Sequence, residues 1–174
     1  IGGTTPDYAD FASAISDLST YGTCGAVIFD VRDGSYTEQL DLPSLSSMST
    51  INTVTFRSEN ANANLVTLTF AGTGIANNYV VRLGNADYYR FENMTLDNTG
   101  TTYGCVLQFT GGSDDNKFEG CRLIGSTANT TSNYASVILS TTGIDNNNVF
   151  KNNLIQGGSY GVYWYGGGTT SPET

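Results

Sequence analysis

The chain has 174 residues, a formal net charge of −9 and no histidine, a length that suits one domain with a sizeable core. A hydrophobic fraction of 39% with eleven tyrosines and eight phenylalanines argues against intrinsic disorder. The missing imidazole excludes Ser-His and Cys-His machinery. The lack of a Lys/Arg stripe argues against nucleic-acid partners, and no apolar run approaches the ~18 residues of a membrane-spanning helix.

In chain order, the first predicted element is a helix over residues 7–20. Tyr8, Phe11, Ile15 and Leu18 fall on one helical face, Thr5-Pro6-Asp7 supplies start signals, and Gly22 supplies the stop. From residue 26 onward the language is that of strands, with period-two runs separated by turn-rich breaks. The runs are 26–31, 53–56, 66–70, 79–83, 89–96, 105–109, 117–124, 136–139, 149–155 and 162–165.

The second half repeats. Phe91-Glu92-Asn93-Met94-Thr95-Leu96, Phe118-Glu119-Gly120-Cys121-Arg122-Leu123 and Phe150-Lys151-Asn152-Asn153-Leu154-Ile155 share the form F-[EK]-[NG]-x-x-[LI]. Their spacings are 118 − 91 = 27 and 150 − 118 = 32 residues. Short strands also suit an antiparallel sandwich, but recurrence at this period without helices favours a solenoid of strand-turn-strand coils. The expected fold is all-β: a right-handed parallel β-helix in which residues 26–174 form coils and the helix at 7–20 caps the first. Phe91, Phe118 and Phe150 are expected buried above one another. The whole of 1–174 reads as a single module and as the N-terminal part of a longer chain, with residues 166–172 a loop after the last strand.

Three cysteines, Cys24, Cys105 and Cys121, form no metal-binding pair. The preferred reading is three small buried hydrophobes; a Cys105–Cys121 bridge is the alternative. Asp114, Asp115 and Asp145 sit in turn sequences where carboxylates could ligate Ca²⁺, but the preferred reading is turn formers that satisfy local backbone, so no metal or cofactor is expected, with Ca²⁺ the alternative. Arg82, Arg90 and Arg122 lie beside no evident carboxylate cluster. Tyr160, Tyr163, Trp164 and Tyr165 are the candidate carbohydrate-binding residues, since aromatic faces stack on sugar rings. Alternation puts Tyr163 and Tyr165 on one side of the strand and Trp164 on the other, so one set belongs to the core.

Two stretches carry a family resemblance. Asp7-Tyr8-Ala9-Asp10-Phe11 through Leu18, then Val27-Ile28-Phe29-Asp30-Val31 and Gly34-Ser35-Tyr36-Thr37-Glu38, resemble the opening of pectin methylesterases. Phe118-Glu119-Gly120-Cys121-Arg122-Leu123-Ile124-Gly125 resembles a later strand of the same family. Similar sequences occur in exported modules of Bacteroidetes-type surface proteins. The resemblance implies the pectin lyase-like parallel β-helix fold. It also implies where esterase residues would stand. The Gln-Asp-Thr motif falls on Thr127-Ala128-Asn129, the nucleophilic Asp near Tyr160, and a polarising Gln on Tyr103, so both carboxylates and the amide are replaced. The expectation is a non-catalytic module of a secreted or cell-surface protein. It would be adhesin-like or stalk-like, with a polysaccharide or surface glycan as ligand and an outer-membrane (type IX) export machinery as partner. The alternative is the N-terminal part of a polysaccharide-degrading enzyme whose catalytic coils lie beyond Thr174.

Overall fold

The computed structural model describes residues 1–127 and 130–165. The one α-helix among these residues, α1, spans Phe11–Tyr21, so the expected start at residue 7 is corrected by four positions. The reason is the cap. Asp10 is extended, and its Oδ1 accepts the Ser13 N–H at 2.8 Å. Glu38, from the first coil, takes the Phe11 and Ala12 N–H groups at 3.2 and 2.9 Å. Three of the helix's four orphan donors are thereby satisfied, and Pro6 and Asp7 lie ahead of it. Gly22 ends it at φ 64°, donating its N–H to the Leu18 carbonyl. The buried face, Phe11, Ala14 and Leu18, lies across the first coil, where Phe11 meets the ring of Tyr36 at 5.4 Å and, beneath it in the next coil, that of Phe56 at 5.6 Å.

Fifteen strands among the described residues wind into five coils of three. The first coil is β1 (Val27–Val31), β2 (Gly34–Thr37) and β3 (Leu40–Leu42); the second is β4 (Val54–Ser58), β5 (Val66–Phe70) and β6 (Val81–Gly84). The third is β7 (Tyr89–Glu92), β8 (Thr95–Asn98) and β9 (Leu107–Thr110); the fourth is β10 (Lys117–Glu119), β11 (Arg122–Ile124) and β12 (Ile138–Thr142). The fifth is β13 (Val149–Lys151), β14 (Leu154–Gln156) and β15 (Val162–Trp164). Every pairing is parallel, giving three five-stranded sheets: β1-β4-β7-β10-β13, β2-β5-β8-β11-β14 and β3-β6-β9-β12-β15. This is the parallel β-helix with an N-terminal helix that the repeat implies.

The shared motif marks one corner. Its Phe points inward, its Glu or Lys outward, and its third residue turns left-handed at φ 53° (Asn93), 65° (Gly120) and 56° (Asn152). Only Gly and a few short polar residues adopt that conformation readily. The three runs read as single strands, 89–96, 117–124 and 149–155, are therefore each two strands on different sheets. Stacking the corners lets Asn93 N–H donate to the Glu119 carbonyl and Gly120 N–H to the Lys151 carbonyl, both at 3.0 Å. Inside, Phe29, Phe56, Phe91, Phe118 and Phe150 form one column, with successive ring centroids 5.0, 5.3, 5.4 and 5.4 Å apart. Phe91 and Phe118 are fully buried, while Phe150, in the last described coil, is partly exposed. Cys105 and Cys121 are buried free thiols, but Cys24 is exposed, which corrects the expectation that all three are buried.

Candidate functional site

The outer face of the third sheet gathers most of the candidate residues. In register across it stand Asp41, Arg82, Gln108, Leu139 and Tyr163. Arg82 grips Asp41 through Nε and Nη2 at 2.8 and 2.5 Å, which raises the guanidinium's pKa further. The Tyr79 ring lies 4.6 Å from the guanidinium carbon, a cation–π contact. Farther along, Tyr134 and Tyr163 both pack against a buried cluster of Tyr79, Cys105 and Leu139, and the Tyr163 ring centroid is 5.4 Å from that of Tyr160. Tyr160 and Tyr165 are 44% and 63% exposed. Trp164 turns the other way, as alternation requires, and meets the Phe109 ring at 5.0 Å. Of the four candidate aromatics, the structure thus sets Tyr160, Tyr163 and Tyr165 outside the core column and Trp164 against it.

Tyr79 and Tyr134 come from the long connections between the second and third sheets, and neither was singled out by the sequence. Two buried asparagines hold those connections in place. Asn98 Nδ2 donates to the Asn78 and Cys105 carbonyls at 2.8 and 2.7 Å, and Asn78 Nδ2 donates to the Tyr134 carbonyl at 2.6 Å. A buried side-chain amide can satisfy several backbone groups at once, so irregular loops from coils 2, 3 and 4 are fixed as one layer. The available signal was Asn98 at the end of a strand whose preceding coil has Phe70 in register.

Beside this layer a cavity of about 340 Å³ is lined by residues 97–101 and 124–127. Asp97 is its one lining carboxylate among the described residues, and partial burial pushes its pKa up. Of the positions where the resemblance places esterase residues, Thr127 lines this cavity; Ala128 and Asn129 lie outside the described residues, as do 166–172. Tyr103 is half-buried.

The remaining acids and bases are engaged elsewhere. Asp145 is buried, accepting from Ser113 N–H at 2.7 Å and the Ser140 hydroxyl at 2.6 Å. Asp114 accepts the Asn146 N–H at 2.6 Å, and Asp115 holds a left-handed corner at φ 58°. Both Asp114 and Asp145 act here as turn formers. Among the described residues no group of three or more His, Cys, Asp or Glu is placed to hold a metal ion. Arg90 and Arg122 stand on the outer faces of the first and second sheets.

Comparison with protein-family models, curated proteins and solved structures finds no match in any of the three. The likeness to pectin methylesterases therefore rests on the motifs quoted above.

Proposed function

We propose that this chain is a non-catalytic β-helix module of a secreted or cell-surface bacterial protein, adhesin-like or stalk-like, which contacts polysaccharide along the outer face of its third sheet. The observation that carries the reading is the run of Tyr160, Tyr163 and Tyr134 continuing into Gln108 and the Arg82–Asp41 pair. Flat aromatic faces flanked by planar hydrogen-bonding groups suit a chain of pyranose rings, which offer apolar faces and hydroxyl edges. Parallel coils repeat every ~4.8 Å, close to the length of one pyranose, so a glycan lying along the axis would meet a new coil with each sugar. Export is supported by the low lysine content and the net charge of −9, which keeps an extended solenoid soluble.

Affinity electrophoresis against a panel of soluble polysaccharides tests this. At least one polymer should retard the protein, and Tyr160→Ala with Tyr163→Ala should weaken that retardation about tenfold, ~1.4 kcal/mol, with unchanged circular dichroism. Retardation by none, or retardation indifferent to both substitutions, would sink it.

One observation favours the second reading, part of a polysaccharide-degrading enzyme: Asp97 is a cavity carboxyl with a raised pKa, a property of general acids. The esterase reaction uses two carboxylates, and this cavity lining has one. Residues 1–174 are expected to release no methanol from pectin; release abolished by Asp97→Asn would establish the enzyme reading instead.

A further inference from the structure

Given the reading that the third sheet contacts polysaccharide, on which this step rests, we infer that its ligand is an uncharged polysaccharide with an extended backbone. The same face rejects polyuronates and sulfated polymers.

The distribution of charge along the chain carries this. Strands of the first sheet hold a charged side chain in every coil, with Arg57, Arg90, Lys117 and Lys151 as its cations. Strands of the third sheet hold only Asp41 and Arg82. The connections that lead into it from the second sheet are residues 71–80, 99–106, 125–137 and 157–161. They contain no Asp, Glu, Lys or Arg, in a chain that is 13% charged. Ser, Thr, Asn, Gly and Tyr make up most of them. The corners that lead back to the first sheet, 43–53, 85–88, 111–116 and 143–148, add Asp87, Asp114, Asp115 and the buried Asp145, but no base. One border of the third sheet is therefore neutral and the other acidic, so a polyanion meets repulsion and no counter-charge.

The single cation is already engaged on two sides. Asp41 takes Arg82 Nε and Nη2 at 2.8 and 2.5 Å in a bidentate pair. The Tyr79 ring, 5% exposed, lies 4.6 Å from the guanidinium carbon. A uronate carboxylate would have to displace Asp41 or lie beside it, with one guanidinium then shared by two anions. A neutral sugar needs neither. The guanidinium N–H groups not on Asp41 stand next to its carboxylate oxygens, which gives donors and acceptors side by side without net charge and suits a pair of neighbouring hydroxyls. Gln108, next in register to Arg82, adds an amide that both donates and accepts. An extended backbone can follow these groups from coil to coil at ~4.8 Å intervals, whereas a helical glycan would touch the sheet only where one turn meets it.

The probes are hydroxyethylcellulose and glucomannan (neutral, extended), amylose (neutral, helical) and polygalacturonate (anionic), each used in affinity electrophoresis at low and at high salt. At least one extended neutral polymer should retard the chain equally at both, because no ionic contact is there to be screened. Polygalacturonate should bind at least about tenfold more weakly. Asp41→Lys, at an exposed position, reverses the sign of the carboxylate beside Arg82. It should create retardation by polygalacturonate that high salt abolishes, with unchanged circular dichroism. Polygalacturonate retarding the unaltered chain as strongly as the neutral polymers, and losing that effect in Tyr160→Ala with Tyr163→Ala, overturns this inference and leaves the polysaccharide reading standing. Amylose retarding as strongly as the extended polymers overturns the extended backbone. No gain of polygalacturonate binding in Asp41→Lys overturns the role given to charge. Retardation by none of the four overturns this inference together with the reading it rests on.

Discussion

At the scale of single residues, the column of phenylalanines carries the core. Phe118 is fully buried, with stacked neighbours Phe91 and Phe150 each at 5.4 Å and Phe109 edge-on at 6.1 Å. Phe118→Ala opens a cavity between two coils that a stacked backbone cannot close, and it should lower unfolding stability by ~3–5 kcal/mol, read as a shift in denaturant midpoint. Phe118→Leu should lose much less. On the outer face of the first sheet, Lys117 and Lys151 both contact Glu119, Lys151 at 2.8 Å. Bonds from Lys117 and then Lys151 pull the Glu119 pKa from 4.5 down to about 2. A depressed carboxyl stabilises the fold above its ordinary value and loses that contribution as pH falls toward its native value. Glu119→Gln should therefore flatten the acid limb of the stability profile between about pH 4.5 and 2, measured by thermal midpoints across a pH series. Asp87 and Asp97, both raised chiefly by burial, act with the opposite sign: their protonation on acidification favours the folded state.

At the scale of elements, the helix is a lid whose placement depends on one residue of the first coil. Glu38 offers both carboxylate oxygens to the helix N-terminus, where negative charge also complements the macrodipole. Replacing Asp10 and Glu38 together by Ala should lower the melting temperature more than either change alone and expose Phe11 to solvent, seen as faster exchange across α1 and coil 1 with coils 3 and 4 unaffected. Melting of the whole chain in one step with α1 would contradict such local coupling. The helix itself was legible from the spacing of Phe11 and Leu18, but its start was not, because Glu38 competes with Pro6-Asp7 for that role from 27 residues away. The same holds for strands. Coils 3, 4 and 5 announce themselves because Asn93, Gly120 and Asn152 mark a corner just after Phe91, Phe118 and Phe150. Phe29 and Phe56 stack in the same column, yet Val31 and Ser58 lead into unlike corners, so no motif repeats. β2 and β3, four and three residues long, are too short for alternation to register.

At the scale of the molecule, the first and the last described coils differ. α1 closes the first coil, whereas Val149, Leu154 and Val162 of the fifth coil are 46%, 44% and 51% exposed. Native-state hydrogen exchange should rank protection accordingly, slowest in coils 2–4 and fastest in coil 5; uniform protection would contradict stacking as the source of stability. The aromatics of the candidate face were partly legible, since Tyr160, Tyr163 and Tyr165 sit near one strand. Tyr79 and Tyr134 were not, because what assembles them is a set of amide-to-carbonyl bonds between connections of unlike length. Those connections have one more consequence, for how such a chain diverges. From β7 to β8, β10 to β11 and β13 to β14 the corner is always two residues, while from β8 to β9 and β11 to β12 it is eight and thirteen. Lengthening a two-residue corner by one position would turn each following side chain to the wrong face, whereas the longer connections carry exposed residues such as Thr101, Thr102 and Thr131 outside the paired strands. Sequence drift, insertion and the acquisition of new specificities should therefore accumulate along one edge of the solenoid, the edge that supplies Tyr79 and Tyr134, while the opposite corners keep their length.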